Sequence, residues 1–473
     1  MPDTFVLNFK YMVRNMKMLI KNVFGAGKPK YSAPKLREMS VADHRTHSTM
    51  TDTLMERIER ALFATKQHAL IFGEFQTIDM LKRGRLAYAV AAVAFSGMVG
   101  CTKNEGGGNP QPAPVVAYND DADLWANTAT LTVENGDAGV SVKYRQVGQT
   151  SWLSTTDMGE GKFRIEPVYQ ESPAKDKVLA GKVALSQTGV RLGGEYEAVA
   201  MSGGNIVAST QFKVGGKRDV IPNAGMDDWS KYSVEGLMVG GEVSYPNKAD
   251  DEKFWVSGSN KQTPNLCSID TASGGNGAGC AMLKGATVFG IFAAGNLFTG
   301  DMAFGTGLTA MGCGYARFGQ KYTFSARPSA LKVRLKAHIG TITHVGANDP
   351  GKDKEHIKGQ TKDVARIYFC ITDWRERHTV QGGMQLDKNT LWNPAEQNAV
   401  SEGKILGYGL ADITADTADW EELTIPIIWY DTAAKPTAGN YSLVISAASS
   451  AYGDYLTGST ESSLCVEDFE WVY

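Results

Sequence analysis

Residues 331–340 read LKVRLKAHIG, and residues 364–373 read VARIYFCITD. In the first, Leu331, Val333, Leu335, Ala337 and Ile339 alternate with Lys332, Arg334, Lys336 and His338. A period of two is that of a strand with one face buried. Comparable strand-like runs recur on both sides: KFWVSG, TVFGIFAAG, KYTFSA, WEELTIPIIWY, YSLVISAASS and LCVEDFEWVY. Long glycine-rich connections, SGGNGAGC and VGANDPGKDKEHIKG, suit sheet ends. No long helical pattern and no internal repeat interrupts the series. For residues 218–473 this much β without α predicts a sandwich of jelly-roll type.

Working toward the N-terminus, KVGGKRDVIPNAGMDD (213–228) is a Gly- and Pro-containing junction. Before it, ATLTVEN, VSVKYRQ, FRIEPVY, KVALSQ, YEAVAMS and STQFKVG form a second series of short alternating runs. Their spacing predicts a separate antiparallel sandwich over residues 115–217. Trp152, shortly after Tyr144-Arg145, and Tyr196 in LGGEYEAVA resemble the inward Trp and the corner Tyr of fibronectin type III and immunoglobulin-like modules. Both are expected in the core, and the usual role of such a module is a spacer.

Further upstream lies MLKRGRLAYAVAAVAFSGMVGC (80–101). A basic start (Lys82, Arg83, Arg85) leads into a 14-residue uncharged run, Leu86 to Val99. That is short for a membrane-spanning helix, which needs about 20 residues, and suits a secretory leader. The end, Met98-Val99-Gly100-Cys101, resembles a bacterial lipobox, whose cysteine is lipidated. Residues 80–100 are thus expected to be a lipoprotein signal peptide. Residues 101–114, opening TKNEGGGNPQPAP after the cysteine, then form a tether. Residues 1–79 would precede the true start, as an over-called start or a helical extension. The expected location is the outer membrane of a bacterial envelope, with the protein exposed at the cell surface.

Composition supports this organisation. The chain has 473 residues, 52 Gly against 16 Pro and 10% aromatics, a turn-rich globular mix. Residues 101–473 carry 33 Lys+Arg against 43 Asp+Glu, a net of −10, which disfavours a nucleic-acid partner. No HExxH, Walker A loop or GxGxxG after a strand occurs. After Cys101 five cysteines remain, an odd number. Cys267 and Cys280 flank a Gly/Ser-rich loop and could bridge, and the spacing matches no zinc motif.

Seven segments carry a family resemblance. They are NAGMDDWS (223–230), FWVSGSN (254–260), FGIFAAGNLFTGDM (289–302), GQKYTFSARPSALKVRLKAHIG (319–340), ARIYFCITDW (365–374), WEELTIPIIWY (420–430) and SSAYGDYLTGSTESSLCVEDFEWVY (449–473). Together they resemble the "putative carbohydrate metabolism domain" of Bacteroidetes surface lipoproteins. The resemblance implies a jelly-roll β-sandwich with a role in glycan handling, and members often carry a glycoside hydrolase label. Lys332-Val333-Arg334-Leu335 departs from it, because members tend to carry Gly and Tyr there.

The candidate site residues follow from sugar chemistry. Binding needs flat aromatic faces beside amides and carboxylates. Trp392, with Asn393 in the polar loop TLWNPAEQN, suits a sugar platform, and Trp374 ends a strand next to Asp373. Tyr452 stands in the turn YGDY, Asn296 in AGNLFTG reads as a turn residue, and Arg327 before Pro328 either locks the two sheets or binds a sugar acid. Hydrolysis would require two carboxylates, about 5–5.5 Å apart for retention or about 6.5–9.5 Å for inversion. Asp373 and Asp454, at strand ends, are the candidates. No cofactor is called for, except that Asp227 and Asp228 at the opening of the domain and Asp468 at its close could share a structural calcium if first and last strands pair. The leading expectation is an oligo- or polysaccharide-capturing lipoprotein. A glycoside hydrolase and an adhesin or structural surface protein meeting other proteins are the alternatives.

Overall fold

The computed structural model describes residues 112–172, 179–185, 187–249, 251–271 and 279–473. Residues 1–79, the leader over 80–100, Cys101 and most of the tether lie outside the described residues. The described chain belongs to a compact unit, Pro110–Tyr473. It is all-β. The strand ladders are antiparallel, and the only helical turns among the described residues are two short 3-10 segments.

The first ten strands are β1 (Val115–Tyr118), β2 (Ala129–Glu134), β3 (Ser141–Gln146), β4 (Leu153–Ser154), β5 (Thr156–Gly159), β6 (Lys162–Ile165), β7 (Tyr169–Ser172), β8 (Gly181–Ala184), β9 (Glu195–Ser202) and β10 (Asn205–Lys213). Eight of them make two four-stranded sheets, β1-β2-β6-β5 and β10-β9-β3-β4. Alternate residues point between the sheets: Leu131, Val142, Tyr144, Phe163, Ile165 and Tyr196 are buried there. The hydroxyl of Tyr196 accepts the Arg191 N–H at 2.9 Å, so the ring pins the turn that precedes its own strand. Gly194 has no alternative, since a Cβ there would lie 2.6 Å from the Tyr196 ring.

Trp152 corrects the expectation of an inward anchor. It is only half-buried and lies under the Arg145 guanidinium, 4.2 Å from the ring centroid. Tyr144 takes the core place on β3. The residue after it, Arg145, therefore faces outward, and Trp152 packs with it.

The remaining framework is β11 (Cys280–Lys284), β12 (Asn296–Phe304), β13 (Ala330–His338), β14 (Ala365–Trp374), β15 (Gly403–Ile413), β16 (Glu421–Pro426), β17 (Tyr441–Ala448) and β18 (Ser463–Val472). One sheet holds β11-β18-β13-β16, with Cys267–Asp270 on its β11 edge. The other has β12-β17-β14-β15 at its centre. Cys313–Phe318 and His378–Gly383 extend it beyond β12, and Ile428–Trp429, β8 and β7 extend it beyond β15. Two strands from the N-terminal part thus complete the larger sheet.

Within the series β11–β18, successive strands lie in alternate sheets except for β14 and β15, which are neighbours in the larger one. Between them Leu331, Val333 and Leu335 of β13 meet Ile367, Phe369 and Ile371 of β14 and Leu443 and Ile445 of β17, all buried. Each such side chain contributes roughly 1.5–3 kcal/mol by leaving water. The alternation read in LKVRLKAHIG is this contact.

Cys267 and Cys280 do not bridge. Both are free and buried, as are Cys313, Cys370 and Cys465. In the ladder Cys267 faces Leu283 and Cys280 faces Asp270. That offset of three positions is about 10 Å along the strand, beyond the reach of a disulfide.

Candidate functional site

The outer face of the larger sheet carries the site. Its register lines up residues across four strands. Asn296 on β12 faces Ala448 on β17, Ala448 faces Arg366 on β14, and Arg366 faces Asp412 on β15. The next row is Phe298, Ser446, Tyr368 and Leu410. Their neighbours Ile367, Phe369, Ile445 and Ala447 point into the core, so these rows must point away from it. Small residues at the middle of both rows, Ala448 and Ser446, leave a trough.

Loops turn the trough into a cavity of about 560 Å³. Its walls come from residues 237–239, the hairpin around Phe289 and Phe292, the turn Gly312–Gly314 and the segment Ser450–Leu456. This volume lies within the range of small-molecule sites, roughly 300–1,000 Å³.

Charge is sparse here. Among the described residues, Asp454 is the single acidic one of the lining and Arg366 the single basic one. Arg366 is committed: its Nε donates to Asp412 Oδ1 at 2.7 Å and its Nη2 to Asp412 Oδ2 at 2.9 Å. Burial works against its charge, but the Asp412 carboxylate outweighs burial and raises its pKa. Asp454 sits in the 3-10 turn Gly453–Tyr455, with Leu456 behind it in the left-handed region at φ 59°. Its carboxylate has no hydrogen-bond partner among the described residues. Its side chain is exposed and forms part of the cavity wall. The surrounding protein raises its pKa by desolvation, which the Arg366 charge only partly offsets. Tyr368, half-buried beside Ser446, Arg366 and Asp454, is likewise pushed up, chiefly by burial. An exposed carboxylate near the Tyr368 hydroxyl can hydrogen-bond a hydroxylated ligand.

The residues expected from sequence are placed as follows. Asn296 lines the cavity, but its amide serves the backbone: Oδ1 accepts the Gly258 N–H at 2.8 Å and Nδ2 donates to Ala294 O at 2.9 Å. Tyr452 stands next to the cavity segment, its ring 3.9 Å from that of His356 and 6.0 Å from the Arg366 guanidinium. Asp373 and Asp454 are not brought together. Asp454 acts on Arg366, whereas Asp373 is seven residues further along β14, about 23 Å away. Asp373 instead accepts the Thr437 N–H and Asn440 Nδ2 at 2.8 Å each, pinning a turn.

Trp374 does not face solvent: it is fully buried, because β14 turns this residue outward, beside Ile405 and Tyr408 of the adjoining strand, under a covering segment that carries Trp392 and Ala395. Trp392 is half-buried in the same layer, edge-on to Phe318, Tyr368, Trp374 and His378, and so backs the cavity without lining it. Asn393 is exposed in its own turn, bonded to Glu396 and the Ala395 N–H. Arg327 is buried away from the cavity. Its guanidinium lies between Trp125 (4.9 Å) and Trp429 (4.5 Å) and donates to the Tyr169 hydroxyl and Thr432 O. It locks the junction where β7 joins the larger sheet and cannot reach a ligand.

First and last segments of the domain do meet, since the Phe469 N–H donates to Ala224 O. Asp227 and Asp468 approach one corner, 2.7 and 3.7 Å from where a Cβ on Gly225 would be. Yet Arg334 Nη1 stands 4.0 Å from Asp468, a cation already beside it. Asp228 is exposed, with its N–H tied to Asn223 Oδ1. The described residues include no group of three or more His, Cys, Asp or Glu able to hold a metal.

The sequence reading missed Arg366, Tyr368, Ser446 and the phenylalanine wall. Their signal was alternation in ARIYFCITDW, where the outward set is Arg366, Tyr368 and Cys370. Nothing in the string says that a second layer covers part of that face.

Fold and cavity together define a class: an all-β protein of stacked antiparallel sheets with a ligand-sized cavity on one outer face. Residues 222–472, more than half of the chain, match the family described as "Putative carbohydrate metabolism domain", and the chain belongs to that family. Two solved structures are similar. One is titled a putative glycoside hydrolase from Bacteroides vulgatus ATCC 8482, with 19% identity over 52% of this chain and 96% of that one, at a TM-score of 0.38. The other is titled a putative glycoside hydrolase from Bacteroides thetaiotaomicron VPI-5482, with 16% identity over 72% and 98%, at a TM-score of 0.34. Likeness at that level carries no argument about activity. No curated protein matches the chain.

Proposed function

We propose that this protein is an outer-membrane lipoprotein that captures oligo- or polysaccharide without cleaving it. A leader over 80–100 would deliver it, and a lipid on Cys101 would hold it at the cell surface. The sandwich of β1–β6, β9 and β10 would act as a fibronectin type III-like spacer. The strand orders β1-β2-β6-β5 and β10-β9-β3-β4 support that reading. The interleaved order of β11–β18 supports a jelly roll for the presenting domain.

One observation carries the choice of capture over hydrolysis: a single carboxylate, Asp454, lines the cavity. Two-carboxylate hydrolysis needs a second acid within about 10 Å facing the same bond. A hydrolase reading draws on the raised pKa of Asp454, which suits a general acid, but among the described residues no second acid lines the cavity.

The test is a glycan array with the chain from Cys101 onward, followed by product analysis on each hit. Binding without new reducing ends supports capture. Cleavage abolished by Asp454→Asn would overturn it, and an array without hits would favour a protein partner. Membrane fractionation of Cys101→Ser tests the anchor separately, because sedimentation of that variant with membranes would remove it.

A further inference from the structure

We infer that the saccharide held in this cavity carries an apolar substituent, an acyl or alkyl chain, packed against a wall of phenylalanine and methionine. The inference rests on the saccharide reading above and narrows its ligand class. It begins from how the lining is divided. Arg366, Tyr368, Ser446 and Asp454 gather at the Asn296 end of β12. Toward the other end of that strand the lining becomes Met302, Phe304, Met311, Phe318, Val380 and Met384. Asn296 and Phe304 are eight residues apart, about 26 Å along an extended strand. A polar head and an apolar tail could occupy the two ends together.

The polar groups between these ends are largely unavailable. Asn260 and Asn296 spend their amides on backbone groups, and Gln262 Nε2 donates to Met238 O. The exception is Thr263, a residue of the lining whose buried hydroxyl has no partner among the described residues. A bare polysaccharide would bring hydroxyls to the apolar half with nothing to receive them, and each unpaired buried hydroxyl disfavours binding.

The mouth repeats the pattern. Phe289, 84% exposed at the tip of its hairpin, and the exposed Met238 and Met384 all line the cavity. Leu308, 82% exposed, lies in the adjoining loop. Clustered exposed apolar side chains of this kind mark a binding surface. Methionine adapts to irregular apolar ligands.

The experiment is isothermal titration of the protein with paired methyl and octyl β-D-glucosides, β-D-galactosides and α-D-mannosides, below the micelle concentration, with 1-octanol as a chain-only control. In at least one pair the octyl compound should bind more than tenfold tighter than the methyl compound. A hexyl compound should fall between them, because each buried methylene is worth about fourfold in affinity (~0.8 kcal/mol). Phe289→Ser with Met384→Ser, both at exposed positions, should weaken the octyl compound at least fivefold and leave the melting temperature unchanged. Ser446→Phe, which fills the trough, should abolish binding of both members of the pair. Equal affinities for methyl and octyl members would overturn the apolar substituent and leave the saccharide reading standing. Binding of 1-octanol as tight as that of the octyl glycosides would overturn the saccharide reading, and this inference with it. No binding by any probe would also overturn the inference.

Discussion

Arg366 and Asp412 face each other across β14 and β15 and join through two parallel hydrogen bonds of 2.7 and 2.9 Å. The pair fixes the guanidinium at the polar end of the cavity and fills part of its donor capacity before any ligand arrives. Both side chains are partly open to water, so the pair is worth about 1 kcal/mol to the fold. Asp412→Ala should therefore lower the melting temperature only slightly. It should weaken binding of a neutral saccharide about tenfold, because the freed guanidinium swings away or pairs with Asp454. Calorimetry and titration on the same sample check both; unchanged affinity would remove Arg366 from the site.

Asp454 sets a pH dependence. Its pKa is raised in the folded protein, so the native state holds its proton to higher pH than the unfolded chain does. The stabilisation this brings is complete below the unfolded value, about 3.9, and is lost as pH rises through the folded value. Asp454→Asn should accordingly be more stable than the wild type at pH 7, and the two should converge near pH ~3.5. Melting temperatures across that range decide it. A variant less stable at pH 7 would show that the carboxylate is held by favourable contacts.

Asp363 is buried and accepts four hydrogen bonds. They come from the Ser450 and Ser462 hydroxyls at 2.6 and 2.9 Å and from the Ser459 and Val364 N–H groups at 2.9 Å each. It ties the start of β14 to the loop that carries Asp454. Asp363→Ala leaves those donors without a partner and should cost about 3–5 kcal/mol in chemical denaturation. Binding should fall with it, since Ser450 lines the cavity. A loss under 1 kcal/mol would mean that water replaces the carboxylate.

Arg327 has the opposite profile. Its guanidinium is buried between Trp125 and Trp429, far from the cavity lining. Arg327→Ala should destabilise by about 3 kcal/mol, through lost cation–π and hydrogen-bond contacts, with no change in saccharide affinity of the folded protein. Weakened binding at unchanged stability would return Arg327 to the list of ligand contacts.

Trp392 backs the cavity through Phe318 and Tyr368. Truncation to Ala should cost about 2–3 kcal/mol, because the ring covers Trp374 and His378. Affinity should fall less than threefold. Urea denaturation beside titration separates this from a sugar platform, for which affinity would collapse at unchanged stability.

That this part of the chain is β, and which residues of each strand share a face, is written in the alternation of its residues. Alternation follows from backbone geometry alone, so LKVRLKAHIG could be read without knowing its neighbours. Tyr196 was legible as core from its resemblance to the corner Tyr of such modules. Where those faces meet depends on long-range packing. Trp374 is buried because the loop bearing Trp392 folds back over it, and Trp152 lies outside because Tyr144 takes its place. The cavity exists because register aligns Ala448 and Ser446 between Asn296, Phe298, Arg366 and Tyr368. Register depends on pairing partners far apart in sequence, and a string of residues carries no record of which strands pair.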